Sequence, residues 1–464
     1  MRMRFPFQRL AAGFALMVLL LDGCAVGPAY QRPPVVTAAT YKELAGWTMA
    51  MPSDSIDRGD WWTLFNDPVL SGLMTQVAIS NNNVAAASAA YAQARALVRE
   101  QRAGLFPVVS LNGSARRTGG DGTPAPGNNF QASVGATWEP DVWGRLSRGV
   151  DGANAAADAS AADLASALLS ARGELAIDYF SLRQTDRQRG LLQSTIDAYQ
   201  RTQTITQNRY QAGIAPKTDV LQAQTQLANA QADQAGLSRT RAQFEHAIAV
   251  LIGQTPSDFV LAQTEVVVNV PEIPVGVPST LLQRRPDIAA AERRVAAANE
   301  QIGIAQAAFY PALNLSASYG GNARRVADLF SVSNSIWSLG LSAAEVLFNA
   351  GATQARVAGA TAAQDQAAAR YRQIVLTAFQ GVEDQLAATQ VLRQQQALRE
   401  QASHSADEAL VQVLNRYKAG QVGYTDVVTA QVSALTAQRA LVQNAGDRQV
   451  TAVALIQALG GGWK

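Results

Sequence analysis

The strongest constraint on this 464-residue chain is that it contains itself twice. Asn208-Arg209-Tyr210-Gln211-Ala212-Gly213 runs on to Thr218-Asp219-Val220. Asn415-Arg416-Tyr417-Lys418-Ala419-Gly420 runs on to Thr425-Asp426-Val427, 207 positions later (415 − 208). Each copy reads as the turn of a helical hairpin: the glycine stops one helix, and Thr-Asp offers side-chain oxygens to start the return helix. The segments ahead of the turns repeat as well. Leu164, Leu168, Ala171, Leu175, Tyr179 and Leu182 step by threes and fours, and Tyr371, Val375, Ala378, Val382, Leu386 and Thr389 take the same steps. So narrow an apolar seam is that of a coiled coil more than of a globular core. A repeat offset near half the length argues for one architecture built twice.

Ahead of each long helix the period changes from helical to alternating. Val109, Leu111, Gly113 and Ala115 alternate with Ser110, Asn112, Ser114 and Arg116, and after a Gly/Pro/Asn-rich loop Phe130, Ala132, Val134, Ala136 and Trp138 alternate with polar or small residues. The second pass has Leu313, Leu315, Ala317 and Tyr319, then Trp337, Leu339, Leu341 and Ala343. Strands of nine or ten residues, paired through a polar loop, fit transmembrane β-hairpins. A hairpin half-buried in a soluble domain uses the same alternation. A first helix is expected from about Val69 to Leu105, and the long helices, of about sixty residues, to measure roughly 90 to 100 Å. Val266 to Val277 is broken by prolines and reads as a linker with one edge strand.

The N-terminus reads as a processing signal. Arg2, Arg4 and Arg9 precede an apolar run from Leu10 to Leu21. Leu21-Asp22-Gly23-Cys24 then resembles the lipobox of bacterial lipoproteins, in which the cysteine carries diacylglycerol and an acyl chain such as palmitate; Asp22 departs from the small or apolar residue usual there. Ala25 in place of Asp favours, on that resemblance, the outer membrane. Cys24 is the only cysteine, so no disulfide forms within the chain. A net charge of +2 with 16% charged residues gives no reason to invoke nucleic acid. Past this signal no run reaches the roughly 18 to 20 apolar residues of a membrane-spanning helix.

Four membrane-type strands cannot close a barrel, because spanning barrels begin at about eight strands and leave no free edge in lipid. Such a chain must oligomerise or not span. Taken in order, Cys24 with its Pro-rich lead, Trp61 to Pro68, Asp141 to Arg145, both Tyr-x-Ala-Gly turns, Leu281 to Ile288 and Phe309-Tyr310-Pro311 resemble the outer-membrane efflux proteins of the TolC type, in their lipoprotein branch. That resemblance implies a mixed fold of helices and transmembrane β-barrel, in which a homotrimer closes a twelve-strand barrel and a twelve-helix periplasmic tunnel. It implies passive export of drugs and other small toxic compounds across the outer membrane, with a periplasmic adaptor and an inner-membrane pump as partners. The corresponding divisions are a signal peptide over 1–23, a lipid-anchored extended segment over 24–68, and a first repeat over 69–256 with β-hairpin 108–140 and helical hairpin 145–253. A linker over 257–280 leads to a second repeat over 281–464, with β-hairpin 312–347 and helical hairpin 352–460.

On the same resemblance the turns at Gly213 and Gly420 form the periplasmic tip, where the adaptor docks. Asp219 matches a family aspartate bonded to a tyrosine on the neighbouring hairpin, here Tyr417, and Asp426 matches one that faces the lumen. Val422 stands where one branch has an arginine, and Thr429 where many members carry a second aspartate, so the cation trap at the gate is expected to be weaker. Capping of the helix start is the other role open to both aspartates. An enzyme is not expected: His246 and His404 lie on separate helical stretches without ligand-spaced partners, and no phosphate loop or nucleophile elbow appears. Apart from the lipid on Cys24, no cofactor is expected. A lipid-anchored scaffold without a pore leaves the strand pairs unexplained, and a duct for secreted proteins would share the tip.

Overall fold

The structure, a computed structural model, describes residues 26–34, 59–119, 127–264, 269–271 and 285–461; Cys24, 281–284 and most of the proposed linker strand lie outside them. The helices are α1 (Pro68–Ser80), α2 (Asn82–Ala103), α3 (Arg145–Gln211), α4 (Lys217–Leu251), α5 (Pro286–Ala307), α6 (Ala352–Lys418) and α7 (Tyr424–Ala458). The strands are β1 (Val108–Thr118), β2 (Gly127–Trp138), β3 (Ala312–Ala323) and β4 (Ser335–Ala344). Both long helices have 67 residues and both return helices have 35, as a duplication requires. The chain divides into two compact units, one built from 1–34, 90–161 and 290–373, the other from 35–89, 162–289 and 374–464.

The first unit holds a single antiparallel sheet in the order β1-β2-β3-β4. The second strand of one hairpin pairs with the first of the next, through Phe130↔Ala323 to Trp138↔Leu315. One row across all four strands reads Leu111, Val134, Tyr319 and Trp337. Their exposures are 79%, 48%, 67% and 77%, so none of the described residues buries the apolar face. The neighbouring row on the opposite face reads Ser110, Gly135, Ser318 and Ser338, with Ser318 and Ser338 hydroxyls 2.8 Å apart. Of the two interpretations open to these strands, a hairpin half-buried in a soluble domain would cover that face; β1 and β4 are also both left as edges. Trp138 donates to the Leu105 carbonyl at 3.0 Å, and Trp143 donates to that of Pro311 at 2.8 Å while stacking on Tyr310.

Residues 26–34 are extended, as their prolines require, and are strapped to this unit. The Pro28 carbonyl accepts from Arg148 and Asn299, the Tyr30 hydroxyl donates to Glu292 at 2.5 Å, and Arg372 donates to the Pro34 carbonyl.

The second unit has the apolar core. Trp61, Trp62 and Phe65, in a 3-10 turn, pack with Leu70, Met74 and Val77 of α1, with Leu175, Tyr179 and Phe180 of α3, and with Ile248, Val453 and Ile456 of the return helices. Asp67 caps α1 through the amides of Val69 and Leu70, and its other oxygen accepts from the Tyr179 hydroxyl at 2.6 Å. The seam residues Ala171, Leu175, Tyr179 and Leu182 are buried, and so are Tyr371, Val375, Ala378 and Val382.

The single helix expected from Val69 to Leu105 is two. Asn81, at φ −70° and ψ 121°, leaves the helix, and its Oδ1 accepts from the amides of Asn83 and Val84 to start the next. Its amide group meanwhile donates to the Leu251 carbonyl at 2.7 Å. An asparagine that caps one helix and ties down the end of another gains more than it would inside one continuous helix. Asn81→Ala removes the cap and leaves a buried carbonyl unpaired, an expected loss of about 2 to 3 kcal/mol, to be measured by denaturation of the detergent-solubilised protein.

Candidate functional site: the repeated turns

The two turns use the same backbone device. Gly213 and Gly420 have φ of +71° and +73°, in the left-handed region that only glycine adopts without strain. Ile214 N–H donates back to the Arg209 carbonyl, and Gln421 N–H to the Arg416 carbonyl, closing a Schellman motif on each helix. Both glycines are exposed and have open space where a side chain would be; Gly420 has only the Arg209 guanidinium nearby, at 3.9 Å.

The return helices start one residue earlier than Thr218 and Thr425 suggest, with Pro216 and Gly423 as N-caps. Asp219 and Asp426 are thus third residues of their helices, and here the copies differ. The Asp426 carboxylate accepts from the Gly423 amide at 3.2 Å, one half of a capping box. Pro216 has no amide hydrogen, so Asp219 has no equivalent partner. The capping role therefore accounts for Asp426 and leaves the half-buried Asp219 carboxylate unused. Burial pushes the Asp219 pKa up, against the opposing pull of the Arg209 guanidinium.

The equivalent tyrosines have also parted. Tyr210 is 40% exposed, whereas Tyr417 is 3% exposed. The Thr206 hydroxyl donates to the Thr202 carbonyl, so across a 3.2 Å contact the Tyr417 hydroxyl is the donor to Thr206. Arg209 donates to the Tyr417 carbonyl at 2.8 Å and lies over its ring at 4.7 Å. Tyr424 packs edge-on against that ring, and its own pKa is raised by burial first, then by Tyr417, Tyr199 and Asp219. Thus Arg209 and Thr206, from the first hairpin, clamp Tyr417 of the second. Within one chain the structure gathers Tyr417 and Asp219 around Arg209 and Tyr424 but forms no hydrogen bond between those two. Asp426 is exposed, and so is Thr429, whose hydroxyl returns to the Thr425 carbonyl.

Sequence reasoning missed Arg209, Thr206 and Tyr424. Arg209 is hidden because Arg416 repeats it. The available signal was divergence at matched positions: Thr206 faces Val413 in the other copy, Tyr424 faces Lys217, and Gly423 faces Pro216. Among the described residues no His/Cys/Asp/Glu group has metal-binding geometry. His404 sits on the surface with its Nδ1 3.8 Å from Glu408.

The family model described as "Outer membrane efflux protein" matches residues 73–254 and 277–461. The chain is 30% identical over 463 residues to the probable efflux pump outer membrane protein TtgC of Pseudomonas putida, covering 97% of this chain and 95% of that one. It is 31% identical over 459 residues to the pyoverdine export outer membrane protein OpmQ of Pseudomonas aeruginosa, covering 96% and 95%. The open state of the MtrE outer membrane channel of Neisseria gonorrhoeae superposes with a TM-score of 0.84 at 28% identity, covering 95% of this chain and 99% of that one.

Proposed function

Because this chain belongs to the outer membrane efflux protein family, we propose that it is the passive, gated duct of a multi-component efflux pump, closed at rest by its repeated turns. It is an outer-membrane efflux channel component for toxic compounds, and its family is one of ducts. The observation that carries the reading further is the four-strand sheet, with one exposed apolar face and two unpaired edges. A lipid-facing band with free edges is stable in a bilayer only when other copies complete the barrel. Three copies, as the resemblance implies, bring twelve strands, within the range of outer-membrane barrels. In this reading the Cys24 lipid tethers the strapped segment 26–34 to the membrane, a periplasmic adaptor docks around Gly213 and Gly420, and an inner-membrane pump supplies the energy. The exported molecules are small toxic compounds, the class that the resemblance implies.

In the gate, Asp219 is the group free to act, and Tyr417 is its partner on a neighbouring hairpin. Opening and closing then amount to an exchange of the Tyr417 hydroxyl between Asp219 and Thr206. A charge-assisted bond of this type contributes about 1.5 to 3 kcal/mol, so losing it shifts a closed-open balance roughly tenfold or more. Single-channel recording in a planar bilayer tests this. The Asp219→Ala variant, which keeps the Tyr417 hydroxyl for Thr206, is expected to open about ten times as often as wild type, and unchanged openings would sink the latch. Asp426 supplies the charge at the lumen. Asp426→Asn keeps an oxygen for the Gly423 amide and is expected to lower cation preference at unchanged stability, whereas Asp426→Ala also costs about 1 kcal/mol.

A further inference from the structure

Elements of the first repeat fall on those of the second under two fixed shifts. Carried forward 204 positions (286 − 82), α2 and β1 become α5 and β3, and carried forward 207 (352 − 145), α3 becomes α6. With β2 moved by the same 207 onto β4, the contacts repeat too. Ser110↔Gly135 of one hairpin becomes Asn314↔Ser342 of the other, and Ser114↔Gln131 becomes Ser318↔Ser338. We propose that a second copy of this chain sets its β1 beside β4 in the register that already joins β3 to β2, and its α2 beside α6 as α5 lies beside α3. The proposal rests on the reading of the sheet as part of a barrel that further copies complete. Gly135↔Ser318 then becomes Ser342 opposite Ser114 of the next copy, and Val134↔Tyr319 becomes Leu341 opposite Ala115 of the next copy. Leu341 and Ala115 both belong to the apolar face, Ser342 and Ser114 to the polar one, so the seam continues each face without a slip.

Burial supports the same seam from a separate set of residues. From 139 to 144, between β2 and α3, the chain is half-buried or buried, and Trp143 there stacks on Tyr310 and donates to the Pro311 carbonyl. The repeat of that stretch, 346–351, is exposed at every residue but Asn349, with Leu347 and Phe348 at 89% and 87%. Moved back by 204, Tyr310-Pro311 becomes Phe106-Pro107, and Phe106 is 64% exposed. Apolar groups left uncovered on both sides of one repeated contact fit each other across two copies. The helices give a further pair. A Cβ on Gly152 of α3 would lie 3.4 Å from the Glu300 Cβ of α5. On Gly359 of α6, its repeat, a Cβ would meet none of the described residues within 4 Å. Glycine inside a helix costs stability relative to alanine, and at 359 the room it leaves is unused within the described chain. Glu300 moved back by 204 is Ala96, so that room faces Ala96 of the next copy.

The test is disulfide cross-linking of the full-length protein in bacterial outer membranes, oxidised with copper phenanthroline and read on denaturing gels. Ser342→Cys with Ser114→Cys, and separately Gly359→Cys with Ala96→Cys, are expected to link successive copies into a covalent ring. Within one chain β1 and β4 lie three strand spacings apart, roughly 14 Å, beyond the reach of a disulfide. The displaced pairs, Ser342→Cys with Asn112→Cys and Gly359→Cys with Glu100→Cys, are expected to lower the linked fraction about tenfold or more. Single-cysteine variants set the background from Cys24. Equal or greater linkage by the displaced pairs would overturn the register. So would linkage by neither matched pair while the reduced variants stay in the outer membrane and keep the assembled mass of wild type in native mass spectrometry, because the copies would then assemble through another surface. The two matched pairs lie in different elements, so one pair that prevents assembly leaves the other to decide. Wild-type protein that neither fractionates with the outer membrane nor exceeds the mass of one chain would overturn the barrel reading and the seam together.

Discussion

Asp186→Ala is expected to destabilise the protein by about 3 to 5 kcal/mol. Asp186 is 4% exposed in α3 and accepts from the Arg241 Nε at 2.8 Å, with an Arg183 nitrogen at 3.4 Å. Arg183 lies over the Tyr179 ring and donates to the Ala262 carbonyl, while Glu245, bridged to Arg241, accepts from the Leu261 amide. Asp186 thus balances Arg183, shares Arg241 with Glu245 and lies 3.9 Å from Arg189, and the group holds residues 261–262 against α3 and α4. Removing it strands positive charge in a buried site, where desolvation is no longer offset. Thermal unfolding of the solubilised protein measures the loss. In a double-mutant cycle, Asp186→Ala with Arg241→Ala should be less unstable than the two single losses added together, by about 1 to 3 kcal/mol. Strict additivity would show that the pair does not couple.

Gly253→Ala is expected to cost about 3 kcal/mol or more, and Gly213→Ala only about 1 kcal/mol, although both glycines have φ +71°. The left-handed backbone costs alanine the same at both sites. At Gly253, however, the added carbon would lie 2.3 Å from the Ser80 carbonyl oxygen, whereas at Gly213 it meets nothing within 4 Å. Ser80 cannot withdraw cheaply, since the next residue, Asn81, holds α2 and the Leu251 carbonyl together. Denaturation of the two variants side by side separates conformational strain from crowding; equal losses would mean that the helix junction yields.

These effects mark what the sequence makes readable. The helical seams and the two turns follow from local periodicity and an offset of 207, and the alternating strands from local periodicity, because each depends on residues close in the chain. The pairing of β2 with β3 depends on residues between 177 (315 − 138) and 193 (323 − 130) positions apart and leaves no local mark. The break at Asn81 was open to inspection in the run Asn81-Asn82-Asn83, but its second bond, to Leu251, was not. The Asp186 network is similarly invisible, since Arg241 and Leu261 become its partners only once α4 has folded back. At the tip the difference between Pro216 and Gly423 was readable: a proline cannot donate to the aspartate three residues on.

The divergence of the two turns has a consequence for symmetry. Had the chain remained a half-length unit assembling with identical copies, each turn would have had to offer the clamp and receive it at once. The duplicated chain is free of that demand. Its first turn contributes Arg209 and Thr206 and leaves Tyr210 in solvent; its second buries Tyr417, while the Arg416 side chain binds no described residue. Donor and receiver have become different positions of one gene product, so each can mutate without altering the other, and a ring of such chains alternates between two kinds of turn.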